Sequence, residues 1–228
     1  MLFTPTCIKS TTTEYVIMAK GKGSKFERSM CKLLSIWWAG RDDIFWRTSQ
    51  SGGRATERKK KGLATAGSYG DMTAIDELGR PFDDFFVMEF KKGYTNDLDL
   101  LSLVDSLQIH KVKEVKIKKL EKGVKKKKKR KRKKGPTLIN WWLKNEHIKR
   151  QARRKYGLVI FERNYHSTCI IMQLDLFILI QGYAGELSGV NIIDVYIERI
   201  NDRIIIIPLA SFLEWCTGAT MKMIIEEE

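Results

Sequence analysis

At 228 residues, 43% of them hydrophobic, the chain is long enough for one substantial core and too apolar to be disordered throughout. Its formal net charge of +15 is not spread evenly: residues 111–134 hold 16 basic side chains and 2 acidic ones, a local balance of +14. The basicity therefore belongs to one tract that can meet a polyanion, while the rest of the chain is close to neutral.

Cys7, Cys31, Cys169 and Cys216 form no C-x-x-C pair and have no histidine at ligand spacing, so neither a zinc site nor a disulfide framework is supported. Gln173, Asp175 and Gln181 interrupt the most apolar run, 169–182, which falls short of a membrane span.

In chain order, residues 1–17 lack the basic segment and apolar core of a secretory signal, and Met18 opens a polar segment as a second candidate start. Residues 1–22 are read as a flexible arm. Ser24 and Glu27 have capping-box spacing, and Phe26, Met30, Leu33, Leu34 and Trp37 recur at helical intervals, predicting a helix over 24–38 that ends near Gly40. A short strand over 44–48 follows, and then a long loop over 49–70, rich in Gly, Ser, Thr and Lys. Residues 71–76 and 85–91 read as two strands, and the turn chemistry of 77–81 between them predicts an antiparallel hairpin.

Residues 98–117 read as helical and decay into the basic tract, whose like charges repel and have nothing to bury. After Gly135-Pro136 a helix is expected over 140–156, capped by Asn140 and terminated by Gly157. Strands over 158–162 and 168–172, a helix over 174–183, a strand pair over 190–198 and 204–207, and a last helix from Pro208 through Trp215 complete the chain. Its parts are then the arm, a first core part 23–110, a basic insertion 111–136 expected to be disordered, a second core part 137–173, and a C-terminal α/β extension 174–228.

The chemistry concentrates at 85–91. Strand alternation puts Val87, Glu89 and Lys91 on one face and Phe86, Met88 and Phe90 on the other, so two charges share the end of an apolar strand. A carboxylate there requires a cation. Asp71, after Gly70 at the head of the preceding strand, can supply a second hard oxygen ligand of the kind Mg²⁺ takes, with Mn²⁺ as the alternative. Such a cation neutralises a phosphodiester and acidifies water, while Lys91 orients that water or stabilises developing charge.

Gly70-Asp71 followed by Glu89-Phe90-Lys91 on an apolar strand resembles the PD-(D/E)XK nuclease superfamily, although the proline before the aspartate is absent. Gly23-Ser24-Lys25-Phe26-Glu27 is similar to the G-x-x-x-E helix of archaeal-type and phage Holliday-junction resolvases, and Arg47-Thr48-Ser49-Gln50-Ser51-Gly52-Gly53 to their Arg and Ser-Gly loop. Gln151 and the strand over 158–162 resemble that family's later helix and strand. The basic insertion and the segment after Met172 depart from the compact resolvase pattern.

The resemblance implies an α/β fold, a restriction-endonuclease-like mixed β-sheet flanked by helices on both faces, with the site at one sheet edge. It also implies a Mg²⁺-dependent endodeoxyribonuclease acting on branched duplex DNA in recombination or repair. Asp71 and Glu89 would be metal ligands, Glu27 a further ligand or water contact, Lys91 the catalytic lysine, and Ser51 a catalytic or phosphate-contacting residue. A homodimer would suit two symmetric cuts. The expected location is cytoplasmic, in a nucleoid or an infected cell, or nuclear in a eukaryote.

Blander readings stand beside these. Glu27 can be the capping partner of Ser24, and Glu89 with Lys91 a cross-strand ion pair at a sheet edge. Arg47 and Arg54 are read as DNA contacts, and Lys59, Lys60 and Lys61 can contact DNA or merely solvate a loop. In the basic tract, Lys125, Lys126, Lys127, Arg130 and Arg132 are read as phosphate contacts without sequence specificity, with a nuclear-localisation-like patch or a solvated insertion as alternatives. Trp37, Trp38, Trp141 and Trp142 are assigned to packing rather than base stacking, and His110, His147 and His166 to ordinary helix or surface positions. The rival class of function is a non-catalytic basic nucleic-acid-binding protein; a restriction- or repair-type nuclease on duplex DNA keeps the chemistry and changes the target.

Overall fold

A computed structural model describes residues 23–48, 69–93, 137–163 and 166–228. The first helix, α1 (Gly23–Ala39), buries Phe26, Met30, Leu34 and Trp38, a row spaced at four residues. Gly40 ends it, with φ of 71° and its N–H donating to Ile36 O at 2.8 Å. Ser35 ties α1 to the next element, donating to Cys31 O and accepting the N–H of Phe45 at 2.8 Å.

Strands β1 (Phe45–Arg47) and β2 (Met72–Ala74) pair antiparallel as a two-stranded ribbon. The expected hairpin between β2 and the next strand, β3, does not form. A 3-10 turn (Glu77–Gly79) and helix α2 (Arg80–Phe85) intervene, because Pro81 starts a helix well and Phe82 has an aromatic pocket to fill among Trp37, Trp38, Phe45 and Phe86. Asp83 anchors α2 to β2 by accepting from Thr73 Oγ1 and the N–H of Ala74.

Strand β3 (Phe86–Lys92) pairs instead in parallel with β4 (Tyr156–Glu162), Glu89 opposite Val159. The chain reaches β4 through helix α3 (Thr137–Ala152). Asn140 is interior to α3 rather than its cap, and Arg153, with φ of 56°, follows its last turn. Gly157 belongs to β4, where a Cβ would lie 1.9 Å from Asn145 Oδ1.

Next come β5 (Cys169–Gln173), α4 (Leu174–Ala184), β6 (Ile193–Ile197), β7 (Asp202–Pro208), α5 (Leu209–Trp215) and α6 (Gly218–Glu227). Helix α6 was not anticipated. Its signal is the Thr217 cap, which accepts the N–H of Thr220, together with an apolar face at Met221 and Ile224.

The strands form one mixed five-stranded sheet, ordered β3-β4-β5-β7-β6. On one face Met88, Phe90, Leu158, Ile160 and Ile205 pack with residues of α1, α2, α4, α5 and α6. On the other, Val159, Phe161, Ile171 and Ile206 pack under Leu138, Ile139, Trp141 and Trp142 of α3. Coverage on both faces explains the unbroken apolar runs of β3 and β4. It bears out the α/β reading with helices on both sides and confirms packing roles for the four tryptophans, Trp37 being partly buried. Among the described residues no helix is long and apolar enough to cross a membrane, and Cys31, Cys169 and Cys216 are free thiols.

Candidate active site

β3 is an edge strand, and the chain around Asp71 docks on its open side. Gly70 makes the approach: its φ is 77°, and a Cβ there would lie 2.3 Å from Met88 O. The next N–H, of Asp71, donates to Met88 O at 2.7 Å, and the Asp71 carboxylate accepts the N–H of Phe90 through Oδ2 at 2.8 Å. Thr48 holds the segment from the other side, its N–H on Asp71 O and its hydroxyl on Gly70 O. Asp71 thus replaces a neighbouring strand along two residues of β3, and its side chain is fixed rather than swinging free.

Glu89 is 1% exposed. Lys91, two residues on and on the same face, contacts Glu89 Oε1, donates to Phe90 O at 3.2 Å and lies 3.7 Å from Asp71 Oδ2. Three oxygens therefore surround one ammonium. From α3, Lys144 reaches the same Glu89 Oε1 at 2.6 Å. Asn145 fixes α3 in place, its side-chain amide donating to Val87 O and Leu158 O at 3.3 Å each.

The Asp71 carboxyl is pushed up from its ordinary 3.8 to about 6. Burial is the largest cause, followed by the negative charge of Glu89; Lys91 and the N–H of Phe90 oppose the shift, and Glu27 adds to it weakly. The thiol of Cys31, one helical turn past Glu27, is raised to about 12, first by burial and then by the charges of Glu27 and Asp71. Both carboxylates are therefore felt at the same point under the site.

Asp71, Glu89 and Lys91 are brought together as the sequence suggested. Glu27 stands one step away: Arg47 grips its Oε2 with Nη2 at 2.8 Å and Nε at 2.9 Å. Among the described residues no three of His, Cys, Asp and Glu cluster closely enough to hold a metal ion. Gln151 lies away from the cluster, paired with His147 on the exposed side of α3. Ser51, Arg54, Lys59, Lys60, Lys61, Lys125, Lys126, Lys127, Arg130 and Arg132 lie outside the described residues, as do the helix read over 98–117 and His110.

Sequence reasoning missed Lys144 and Thr48. Neither has a signal in local spacing, because each acts by a tertiary contact, Lys144 on a residue 55 positions away.

The donor set suits a hard divalent cation. Asp71 Oδ2, Glu89 Oε1 and Phe90 O already converge on a positive charge, and the Asp71 carboxyl is raised first by burial and then by Glu89, both of which a bound cation would offset. The family model described as phage putative PDDEXK endonuclease matches residues 18–217. The chain belongs to that family. It is accordingly a nuclease of the PD-(D/E)XK superfamily, with nucleic acid as its substrate class. No curated protein and no solved structure matches the chain significantly.

Proposed function

We propose that this family member is a Mg²⁺-dependent endodeoxyribonuclease of the Holliday-junction resolvase kind, cutting branched duplex DNA, with Mn²⁺ able to substitute. The observation that carries the metal-dependent part is the convergence of Asp71 Oδ2, Glu89 Oε1 and Phe90 O around the Lys91 ammonium on the open edge of β3. Branched DNA is supported by the G-x-x-x-E start of α1 and by the resolvase-like sequence from Arg47 to Gly53, whose first residue pairs with Glu27.

Asp71, Glu89 and the Phe90 carbonyl would hold the cation, which when bound would supply charge neutralisation at the phosphodiester and a more acidic water. Asp71 is kept in position by the N–H of Phe90, so its ligand atom is preorganised. Lys91 lies on the same face, where it would orient the attacking water or stabilise the negative charge that develops on the phosphoryl oxygens. Glu27, restrained by Arg47, acts as a water contact at the rim. Ser51 would have a catalytic or phosphate-contacting role, Arg54 and Lys59 to Lys61 would contact DNA, and the basic tract with Lys125 to Lys127, Arg130 and Arg132 would add affinity without sequence preference. A homodimer provides two sites for paired cuts, acting in the cytoplasm of an infected cell.

The test is cleavage of four-way junction, linear duplex and single-stranded DNA with Mg²⁺, Mn²⁺ or EDTA. Junction cleavage at paired positions, abolished by EDTA, is expected. Equal cleavage of linear duplex would reassign the substrate to that of a restriction- or repair-type nuclease, and binding without cleavage in any metal would favour a binding protein.

A further inference from the structure

Glu89 Oε1 receives two ammonium groups that differ in almost every other respect. Lys91 is 16% exposed and is also held by Phe90 O, whereas Lys144 is 57% exposed and bonds only Glu89 among the described residues. Together Asp71, Glu89, Lys91 and Lys144 sum to zero charge, so the metal-free cluster is balanced.

A divalent cation held by Asp71, Glu89 and Phe90 O would take over the oxygen that both lysines share, so both ammonium groups would lose it, and Lys91 would also have to shift off Phe90 O. Lys91 keeps Asp71 and the rest of the buried cluster beside it, whereas Lys144, 57% exposed, would lose the one bond it makes among the described residues and turn its head to water. Its root cannot follow. The adjacent Asn145 is bonded to both β3 and β4, and Trp142 of the same helix is fully buried. The freed ammonium therefore remains at the mouth of a site that has just gained two positive charges, and what a net positive mouth binds is a phosphodiester.

We propose that Lys144 exchanges partners: it holds Glu89 while no metal is bound, and contacts a backbone phosphate of the nucleic acid once a divalent cation has taken Glu89. This inference rests on the nuclease reading above and adds a residue to it.

The test uses the full chain with Ca²⁺ as the hard-cation probe, read by calorimetry, and a labelled duplex read by anisotropy across a salt series in Ca²⁺ and in EDTA, with the DNA checked to be intact. Removing the competing ammonium in Lys144→Met should tighten Ca²⁺ binding by at least about two- to fivefold, the range of fully exposed ion pairs, because Glu89 is buried. In Ca²⁺ the same variant should lower the log–log salt slope of DNA binding by about 0.9, equivalent to a loss on the order of tenfold at 0.1 M salt, and in EDTA it should change neither. Lys144→Arg should restore the slope.

An equal loss of slope in Ca²⁺ and EDTA would make Lys144 a fixed surface charge and overturn the exchange, as would unchanged Ca²⁺ affinity with unchanged slope. If the wild-type chain took up no Ca²⁺, or if Asp71→Asn bound it as tightly, the metal site itself would fail and the exchange with it.

Discussion

Two glutamate–lysine pairs lie at the same end of β3, on its two faces. Lys92 and Glu162 face each other across β3 and β4 at 2.9 Å, with the ammonium over the Phe26 ring, and each charge has one opposite. Glu89 and Lys91 also touch, yet Asp71 stands on the other side of the ammonium and Lys144 on the other side of the carboxylate. Both pairs are largely buried, so burial does not separate them; crowding does. A one-to-one ion pair is structural, whereas two carboxylates share cations on the other face, and Asp71 there is raised to about 6, first by its burial and then by the charge of Glu89.

The largest expected effect separates the faces outright. Asp71→Asn and Glu89→Gln should each lower single-turnover cleavage by about 10³-fold or more, as expected when a preorganised charge aimed at the transition state is removed. Glu162→Gln, with the same chemistry on the other face, should leave the rate unchanged. A comparable drop in Glu162→Gln would remove the distinction.

Next in size is the lysine contrast. Lys91→Met should lose about 10²- to 10³-fold in single-turnover rate while still binding metal, the range for one removed electrostatic interaction. Lys92→Met should instead lower stability by about 1–3 kcal/mol, as when a buried partner is left unpaired, and spare the rate. Chemical denaturation beside cleavage reads both.

The third is a pH signature that only the crowded face should give. Asp71 binds its proton more tightly folded, at about 6, than at its ordinary 3.8. The folded state therefore holds more protons between these values, and the stability from this group is full below about pH 4 and is lost as pH rises through 6. In EDTA the melting temperature should fall over that window; Mg²⁺ should remove the fall, and so should Asp71→Asn. A flat profile in EDTA would mean that neither burial nor the charge of Glu89 raises the Asp71 carboxyl.

The smallest concerns residues remote from either pair. Deleting Lys125 to Lys134 should flatten the salt dependence of DNA binding by about 0.9 log–log units for each phosphate that the tract neutralises, with the saturated cleavage rate retained. An unchanged slope would make the tract a solvated insertion.

The crowded face was partly legible in the sequence because a strand's period of two is rigid: once 85–91 is a strand, Glu89 and Lys91 must share a side. Gly70 before Asp71 was a second clue, and its close approach to Met88 O gives the reason. What could not be read was the partner of each strand. An apolar run covered on both faces carries no mark of which strand lies beside it, so β3 was expected against β2 and stands in parallel against β4. Helix α2 was hidden for a related reason, since the Pro81 that suggested a turn is equally a helix start. Glu27 shows a different limit: its spacing from Ser24 and its place in the G-x-x-x-E match were visible, but that Arg47 would hold it depended on the β1 ribbon folding back beside the helix.

The most direct measurement of the central claim is a calorimetric Mn²⁺ titration of the metal-free chain beside Asp71→Asn, Glu89→Gln and Glu162→Gln. The crowded carboxylates predict a binding event in the wild type and in Glu162→Gln that disappears in both Asp71→Asn and Glu89→Gln. Undiminished Mn²⁺ binding in either of those two variants would contradict it.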